Sequence, residues 1–359
     1  MRDQIVQELK GLIIRSRKDL FDVLNFIAPL MDGWSLAEPM SGRQIMRFAS
    51  VYTRKGAYVD FTIPKKSGGQ RKINAPVKPL KAIQSAINLL LQSIFVPDEH
   101  ATGFVIGKSI KDNARIHVGQ TCIFNIDLEN FFPSITKLMV RKAFHRELDD
   151  RLQSNDVINI ICRICTVPNS SGIEVLPQGA PTSPILSNIV LKSFDKEMAK
   201  LAERMGCKYS RYADDITFSH SKPIRRMDSF WQLRIYDVVA KYGLVVNKKK
   251  TKTFVPGTRQ DVTGVVVNNK INVSRSYIKQ LRVLMHLWKK YGYSQAQAIF
   301  TKDFCNGIEK SLVNVINGKI NYLEMLKGKE DSTYLKFKSM FNHLQWIENH
   351  KPNQIQKAI

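Results

Sequence analysis

The sequence is poor in acidic side chains. Of its 359 residues, 31 are Asp or Glu and 55 are Lys or Arg, which gives a formal net charge of +24. So little negative charge favours contact with phosphate backbones, because each Lys or Arg that contacts a phosphate releases condensed counterions. The charge balance therefore predicts a nucleic-acid partner, with a generally basic surface or a membrane-surface protein as the alternatives.

Cysteine is scarce as well, and no long apolar run is free of charged residues. Among the five cysteines, Cys162 and Cys165 form a Cys-x-x-Cys pair in an apolar stretch, without a second pair to complete a zinc site. We expect both thiols to be buried on a helix, in a reducing compartment. The sequence has neither a signal-peptide core nor a stretch of transmembrane length, which predicts a cytoplasmic protein without membrane contact.

Internal repeats and low-complexity linkers are also missing, so the order of helices and strands carries the information on the fold. Apolar residues at helical spacing predict helices within 1–50, over about 80–95 and 136–166, before 192, over 228–242 and from 274 onward. Strand-like alternation predicts a hairpin around Gly68-Gly69, a strand ending near 127, a hairpin over 207–219 and short strands after 243. Helices and strands that interleave without a series of βαβ units predict an α+β fold.

Three aspartates stand where strands are predicted to end. Asp214 and Asp215 occupy the tip of the 207–219 hairpin, and Asp127 closes the apolar strand that begins at Cys122. Asp is a common turn residue, which is the simpler explanation for the pair. Adjacent carboxylates raise each other's proton affinity unless a cation lies between them. If the two segments are neighbours in one sheet, the three aspartates form an oxygen-rich site for two Mg²⁺ ions and an in-line phosphoryl displacement.

Three motifs occur here in the order and at the distances of one known family. The segments NIDLENFFPSI, LPQGAPTSPILSN and YADD together resemble the palm motifs of reverse transcriptases, over about residues 55–270. The resemblance implies a right-hand polymerase with fingers, palm and thumb. The corresponding predicted domains are an N-terminal helical segment at 1–50, fingers at 51–120, a palm at 121–272 with a helical segment at 137–170, and a basic helical thumb at 273–359.

The resemblance also implies roles for individual residues. It makes Asp127 and Asp214 the main metal ligands and Asp215 the third carboxylate. It implies that Phe132 is an aromatic plate under the incoming sugar, where a rigid ring excludes a ribose 2′-hydroxyl and selects dNTPs. Core packing is the alternative for Phe131 and Phe132.

Two further segments are expected to border the nucleotide. By resemblance, Gln178 and Gly179 of the proline- and glycine-rich loop lie beside the nucleotide and the template. The basic turn that contains Lys65, Lys66 and Arg71 resembles the fingertip that clamps the triphosphate, with either lysine in the lysine role and Arg71 suited to a bidentate phosphate contact. A solvated run of charge is the alternative for this turn.

Basic side chains beyond the palm hairpin are expected to contact phosphates. Either Lys249 or Lys250 is predicted to protonate the leaving pyrophosphate or to touch the nucleic-acid backbone. In the last predicted helical region, Lys279 and Arg282 lie at helical spacing near apolar residues. This pattern predicts an amphipathic helix whose basic face recognises an RNA stem-loop by shape and backbone, with a solvated helix surface as the alternative.

Two short segments narrow the resemblance further. Asn-Ala-Arg-Ile-His, from Asn113 to His117, precedes the first catalytic aspartate, and Val-Thr-Gly at 262–264 follows the lysine cluster. Both resemble the additional signatures of bacterial retron reverse transcriptases. Asn113 and His117 are then expected to contact RNA, with a core position as the alternative for His117.

A retron enzyme implies several partners. It binds its own structured noncoding RNA, starts from a guanosine 2′-hydroxyl and makes a branched RNA–DNA hybrid called msDNA, with a host RNase H and a separate effector protein in antiphage defence. The rival hypotheses are a group II intron or diversity-generating enzyme, a template-independent DNA synthase, and a nucleic-acid-binding protein that no longer polymerises. The intact carboxylates argue against the last, and the chain is short for the extra domain of an intron maturase.

Overall fold

The chain separates into two units near Pro256. The structure, a computed structural model, describes residues 2–30, 40–50, 56–65, 68–222 and 229–350. The first unit comprises Met1–Ile116 and Thr121–Pro256, and the second comprises His117–Gln120 and Gly257–Ile359. The three aspartates belong to the first unit, and the predicted basic helix belongs to the second.

Helices dominate the first unit. Within the described residues they are α1 (Arg2–Glu8), α2 (Arg17–Ile27), a 3₁₀ turn (Ala28–Leu30), α3 (Gly42–Ala49), α4 (Lys78–Ile94), α5 (Ile110–Ile116), α6 (Phe131–Ser134), α7 (Lys137–Glu147), α8 (Asn155–Cys165), α9 (Ser183–Arg204) and α10 (Ser229–Lys241). Helices α2, α7 and α8 begin after Ser16, Thr136 and Ser154, whose side chains accept a hydrogen bond from a backbone N–H of the first turn. The cap at Ser154 divides the helical stretch predicted over 136–166 into two helices.

The strands of the first unit form one main sheet and two small hairpins. They are β1 (Tyr58–Pro64), β2 (Gln70–Pro76), β3 (Cys122–Asp127), β4 (Val167–Pro168), β5 (Glu174–Val175), β6 (Lys208–Tyr212), β7 (Asp215–His220) and β8 (Lys252–Phe254). The main sheet is antiparallel, in the order β6-β7-β3-β8. The antiparallel pairs β1–β2 and β6–β7 confirm the two predicted hairpins.

One hydrophobic core joins the main sheet to the helices. Phe124 of β3 and Ile216 and Phe218 of β7 belong to the same buried cluster as apolar side chains of α4, α8 and α9. Burying each large apolar side chain contributes about 1.5–3 kcal/mol, so this cluster fixes the sheet against its helices. Cys162 and Cys165 lie in the same core, as predicted, and burial raises the pKa of both thiols, to about 12 for Cys165.

The second unit begins with a tight hairpin and continues as helices. β9 (Asp261–Val262) and β10 (Val265–Val266) pair across a two-residue turn in which Thr263 and Gly264 have φ values of 47° and 80°. The helices that follow are α11 (Arg275–Ile299), a π-helical segment (Phe300–Phe304), α12 (Leu312–Lys327) and α13 (Ser332–Asn349). Both units together confirm the α+β class.

Helix α11 is amphipathic, as the sequence predicts. Leu281, Leu284 and Trp288 are buried, whereas Lys279 and Arg282 are exposed. The basic side chains therefore face away from the apolar stripe of their own helix. Across the described ranges, none of the helices combines the length and the apolar character needed to cross a membrane.

The prediction of strands after residue 243 is right for β8, β9 and β10 and wrong for 244–247. That segment makes an isolated bridge between Val246 and Leu128 and then turns, with the backbone N–H groups of Lys250 and Thr251 donating to Asn247 O. The apolar run is short, and the hydrogen bonds of the turn end it before a ladder can form.

Candidate active site

The three aspartates meet at one end of the two central strands of the main sheet, β3 and β7. β3 and β7 pair in the register that sets Asp127 opposite Asp215, and Tyr212 pairs with Asp215 to close the β6–β7 hairpin over Ala213 and Asp214. Directly opposed residues of antiparallel strands share one face, with Cβ atoms about 4.5–5.5 Å apart. The structure therefore brings together the segments that the sequence could only suggest as neighbours.

Burial and mutual repulsion raise the pKa of two of the carboxylates. Loss of water around the carboxyl, followed by the charges of Asp214 and Asp127, raises the pKa of Asp215 to about 7. Burial and the charge of Asp127 also raise the pKa of Asp214. Part of the surface of Asp215 remains open to solvent, so the cluster lies at a rim that a ligand can reach. A cation placed among these groups would relieve their repulsion.

The ammonium of Lys250 balances part of this negative charge. Lys250 Nζ lies 3.0 Å from Asp127 Oδ1 and 3.1 Å from Oδ2. The turn before it is tied to the same aspartate, because Asn247 N donates to Asp127 O at 2.8 Å and Lys250 N donates to Asn247 O at 3.1 Å. Lys249, the other lysine of the prediction, is exposed. The structure thus brings Lys250 to the aspartates by both its backbone and its side chain.

The site presents oxygen ligands without a closed metal cage. Within the described ranges, no group of three or more His, Cys, Asp or Glu side chains has the arrangement of a complete metal cluster. Mg²⁺ keeps several waters and is usually bound through one or two carboxylates together with substrate phosphates. Adjacent carboxylates on one face of the sheet fit that kind of site, since the remaining coordination positions are left to a triphosphate and water.

A series of aromatic rings runs from Phe131 to Tyr212, the residue that pairs with Asp215. The ring of Phe132 lies 5.2 Å from that of Phe131 and 6.2 Å from that of Phe104, and Phe104 lies 6.4 Å from the ring of Tyr212. Phe131 is a buried core residue, whereas Phe132 is partly accessible. Of the two neighbouring phenylalanines, Phe132 is thus the one available to a ligand.

The loop that contains Gln178 and Gly179 lies against strand β2. Asn74 N donates to Gln178 O at 2.8 Å. A Cβ atom on Gly179 would lie 3.0 Å from Ile73 Cγ2 and 3.1 Å from Asn74 O, at a φ of 123°. Both the close approach and the backbone conformation require glycine at this position.

The positive charge of Arg71, in the predicted basic fingertip, acts on Asp214. Arg71 is exposed in β2, and its charge opposes the rise in the pKa of Asp214 that burial produces. Lys65 is exposed at the end of β1, where its N–H donates to Gly69 O at 3.0 Å. Lys66 lies outside the described residues, so Lys65 is the lysine of this turn that the structure places.

Asn113 and His117 lie inside the protein. Their exposed fractions are 1% and 0%. Asn113 Oδ1 accepts hydrogen bonds from Thr102 Oγ1 at 2.8 Å and from Ser210 Oγ at 2.7 Å. A direct contact with RNA needs an accessible side chain, so that prediction is corrected for both residues, and His117 takes the core position named as the alternative.

Two comparisons identify the family. The family described as Reverse transcriptase (RNA-dependent DNA polymerase) matches residues 63–293. The retron Ec86 reverse transcriptase of Escherichia coli is 34% identical over 66% of this chain and 71% of that protein, and the retron Ec83 reverse transcriptase of Escherichia coli is 34% identical over 65% and 76%. The chain therefore belongs to the reverse transcriptase family, among the retron reverse transcriptases, as its motifs predict.

Other relatives are longer or more distant. The retron Mx65 reverse transcriptase of Myxococcus xanthus is 36% identical over 64% of this chain and 55% of that protein, so the chain spans about half the length of this relative. A solved telomerase from Candida albicans, in complex with a fragment of telomeric RNA, has a TM-score of 0.41 and 12% identity, and the match covers 81% of this chain and 63% of that chain.

Some side chains near the aspartates escaped the sequence analysis. Arg211 is completely buried one residue before Tyr212, where it pairs with the equally buried Asp195. Phe104 has a φ of 60° and a partly exposed ring beside Phe132. A charged residue inside a strand was the available signal for Arg211, because such a charge needs a buried partner; for Phe104 the sequence offered none.

Gly179→Ala is expected to lower the free energy of unfolding by about 2 kcal/mol, because the new Cβ meets Asn74 O and Ile73 at a strained φ. Gly172→Ala is the matched control. Gly172 has a positive φ of 76°, but a Cβ added there would have no other atom within 4 Å, so we expect a loss of only about 1 kcal/mol. Thermal unfolding followed by circular dichroism compares the variants, and equal losses would contradict the close approach of the loop to β2.

Proposed function

We propose that this protein is an RNA-directed DNA polymerase that copies the noncoding RNA of a retron into msDNA. The observation that carries the proposal is the meeting of Asp127, Asp214 and Asp215 at one sheet edge, in a chain of the reverse transcriptase family. Carboxylates that raise each other's pKa suit two Mg²⁺ ions and, through them, a nucleoside triphosphate. The net charge of +24 supports a nucleic-acid template and primer.

The proposed roles are those that the family resemblance implies, and the positions of the side chains support them. Asp127 and Asp214 hold the magnesium ions, and Asp215 supplies a third carboxylate. Bound magnesium would activate the primer hydroxyl and stabilise the leaving pyrophosphate. Arg71 holds the triphosphate with its planar fork of donors. Phe132, whose ring is partly accessible, is assigned the position under the sugar that the family resemblance implies, where it would exclude a 2′-hydroxyl and select dNTPs.

The loop after β5 and the fingertip are proposed to act together on the nucleotide. Gln178 and Gly179 border the base and the template, and Lys65 adds a second cation for the triphosphate. The hydrogen bond from Asn74 N to Gln178 O supports this arrangement, because it fixes the loop to the strand that also carries Arg71. The loop that borders the base is then coupled to the strand whose Arg71 binds the phosphates.

Lys250 is proposed as the general acid, in preference to Lys249. Both lysines are exposed, but the ammonium of Lys250 lies within 3.1 Å of both carboxylate oxygens of Asp127. A proton donor must be within hydrogen-bond reach of the group that receives the proton. The ammonium of Lys250 is held at the aspartates, where the pyrophosphate oxygens leave.

The template is proposed to be the retron's own structured RNA. Lys279 and Arg282 are exposed on α11 and offer phosphate contacts along a stem-loop, which is the usual way to recognise duplex RNA. The names of the E. coli relatives support a retron enzyme, and msDNA is the product that the resemblance to retron enzymes implies. A host RNase H that removes copied RNA, a separate effector protein and a role in antiphage defence in the bacterial cytoplasm complete the proposal.

Asp214→Asn combined with Asp215→Asn is expected to reduce primer extension on an RNA template by about 10³-fold or more, because losing metal ligands removes several kcal/mol of transition-state stabilisation. RNA binding, measured by filter retention, should stay within a few-fold of wild type. Asp149→Asn combined with Asp150→Asn is the matched control, since those adjacent aspartates are 75% and 73% exposed. Comparable activity in the first variant would refute the site.

Lys250→Gln is expected to lower the rate of single-nucleotide incorporation by about 10²–10⁴-fold, the usual contribution of a general acid. Lys249→Gln, which removes the same charge one residue away, should change that rate by less than about threefold. Rapid-quench measurements at saturating dNTP separate incorporation from binding. Equal effects of the two substitutions would show that the cluster acts only through its total charge.

The retron product is tested in cells. The gene is expressed with a few hundred bases of its native upstream DNA, and the extracted nucleic acid is examined for a short single-stranded DNA. We expect a discrete DNA whose size shifts after RNase and again after debranching enzyme, because a 2′-linked RNA is joined to it. If no such DNA forms while the purified protein extends a primer on RNA, the polymerase proposal stands and the retron proposal fails.

A further inference from the structure

A buried ion pair lies directly behind the turn that carries the aspartates. Arg211 of β6 and Asp195 of α9 both have exposed fractions of 0%. Arg211 Nε and Nη2 donate to the two oxygens of Asp195 at 2.7 and 2.6 Å, and Tyr209 OH donates to the same carboxylate at 2.8 Å. A buried ion pair of this kind contributes little net stability, because the loss of hydration offsets the attraction. The effect of this pair on the molecule therefore comes from the other hydrogen bonds that Arg211 makes, not from added stability.

The guanidinium also bonds the turn and helix α9. Arg211 Nη1 donates to Ala213 O at 3.3 Å, and Nη2 also donates to Asn188 Oδ1 at 3.1 Å. Ala213 has a φ of 57°, a left-handed conformation that costs an alanine about 1–2 kcal/mol. The carbonyl that Arg211 holds belongs to the peptide bond between Ala213 and Asp214. The contact therefore fixes the backbone at the point where the first of the two aspartates begins.

The backbone of the same turn also packs against the backbone of Gly103. A Cβ atom on Gly103 would lie 2.5 Å from Ala213 N and 2.9 Å from Tyr212 C, so the two chain segments touch without a side chain between them. Asn188 Nδ2 donates to Gly103 O at 2.9 Å. Asn188 thus links the guanidinium on one side of the turn to the glycine on the other, and the turn is held between them.

Asn113 extends this network to the preceding strand. Its Oδ1 accepts from Ser210 Oγ, and the hydroxyl of Thr102 lies 2.8 Å from Asn113 Oδ1 and 3.0 Å from Arg211 O, with one hydrogen to donate between them. The N–H of Thr102 also donates to Arg211 O, at 2.8 Å. The segment that the sequence linked to RNA contact therefore braces β6 next to Arg211. Buried polar networks whose members are satisfied impose one arrangement, because any shift leaves a donor or acceptor unpaired.

We propose that Arg211, oriented by Asp195 and Asn188, is a positioning residue that sets the Ala213-Asp214 peptide and thereby the two aspartates of the turn for their ligands. The inference rests on the proposed polymerase function. Its physical basis is preorganisation, since a displacement of about 1 Å at reacting groups costs about 10²-fold in rate. Ligands of a metal likewise depend on the groups that orient them.

The test removes the pair without leaving a buried charge. Asp195→Asn combined with Arg211→Met keeps the size of both side chains and an acceptor for Tyr209, but removes the donors to Ala213 and Asn188. Primer extension should show kcat reduced by about 10²-fold, with the KM for dNTP within a few-fold of wild type. Amide hydrogen exchange in the peptide 209–216 should be about tenfold faster, as expected for the loss of one hydrogen bond.

Two further variants make the result decisive. Glu197→Gln combined with Lys241→Met removes another ion pair that starts from α9, far more exposed at 34% and 62%, and should leave both readouts unchanged. Arg211→Lys keeps the charge opposite Asp195 but has one ammonium in place of the fork, so it should lie between wild type and the paired variant in both kcat and exchange. It also provides the test if the paired variant fails to fold.

The outcomes separate the two proposals. A folded paired variant with wild-type kcat and wild-type exchange in 209–216 would overturn the positioning role, as would Arg211→Lys indistinguishable from wild type in both. Faster exchange in 209–216 together with a wild-type protein that extends no primer would remove the polymerase function and leave Arg211 as a purely structural support of the turn. Loss of kcat with faster exchange confined to this peptide is the result we expect.

Discussion

The pairing of β3 with β7 is the constraint on which the carboxylate site depends. Side chains alternate between the faces of a strand, so a slip of one residue would move Asp127 away from Asp215 and turn it to the other face. The register is set by apolar partners, since Phe124 pairs with Phe218 in the buried core. A polar site at the sheet edge is therefore positioned by hydrophobic packing several residues away from it.

The charges around the aspartates work in two different ways. Lys250 and Arg71 are exposed, and they oppose the negative charge through solvent, where a single ion pair contributes at most about 1 kcal/mol. Arg211 and Asp195 are withdrawn from water and bind the backbone instead. The exposed cations remain accessible to a ligand, whereas the buried pair cannot move without unpairing several groups.

The features predicted correctly depend on local sequence patterns, whereas those that were missed depend on contacts between residues far apart in the chain. Asp127, Asp214 and the Gly68-Gly69 hairpin are marked by local patterns, a strand end and tight turns, and their placement was predictable. The partner of Asn113 was not, because Ser210 lies 97 residues away and no periodicity connects the two. The motif match singled out Asn113, but its burial and its hydrogen bond with Ser210 replace the expected RNA contact with internal support.

In the proposed function, catalysis and RNA recognition are expected to depend on salt to different degrees, because one rests on a buried ion pair and the other on exposed cations. The phosphate contacts proposed for the exposed Lys279 and Arg282 would weaken steeply as ions screen them. A buried pair such as Arg211 with Asp195 is screened far less, because little solvent reaches it. If α11 binds RNA as proposed, substitutions on its exposed face are expected to change how tightly RNA is held, while the turn that carries the aspartates keeps its geometry.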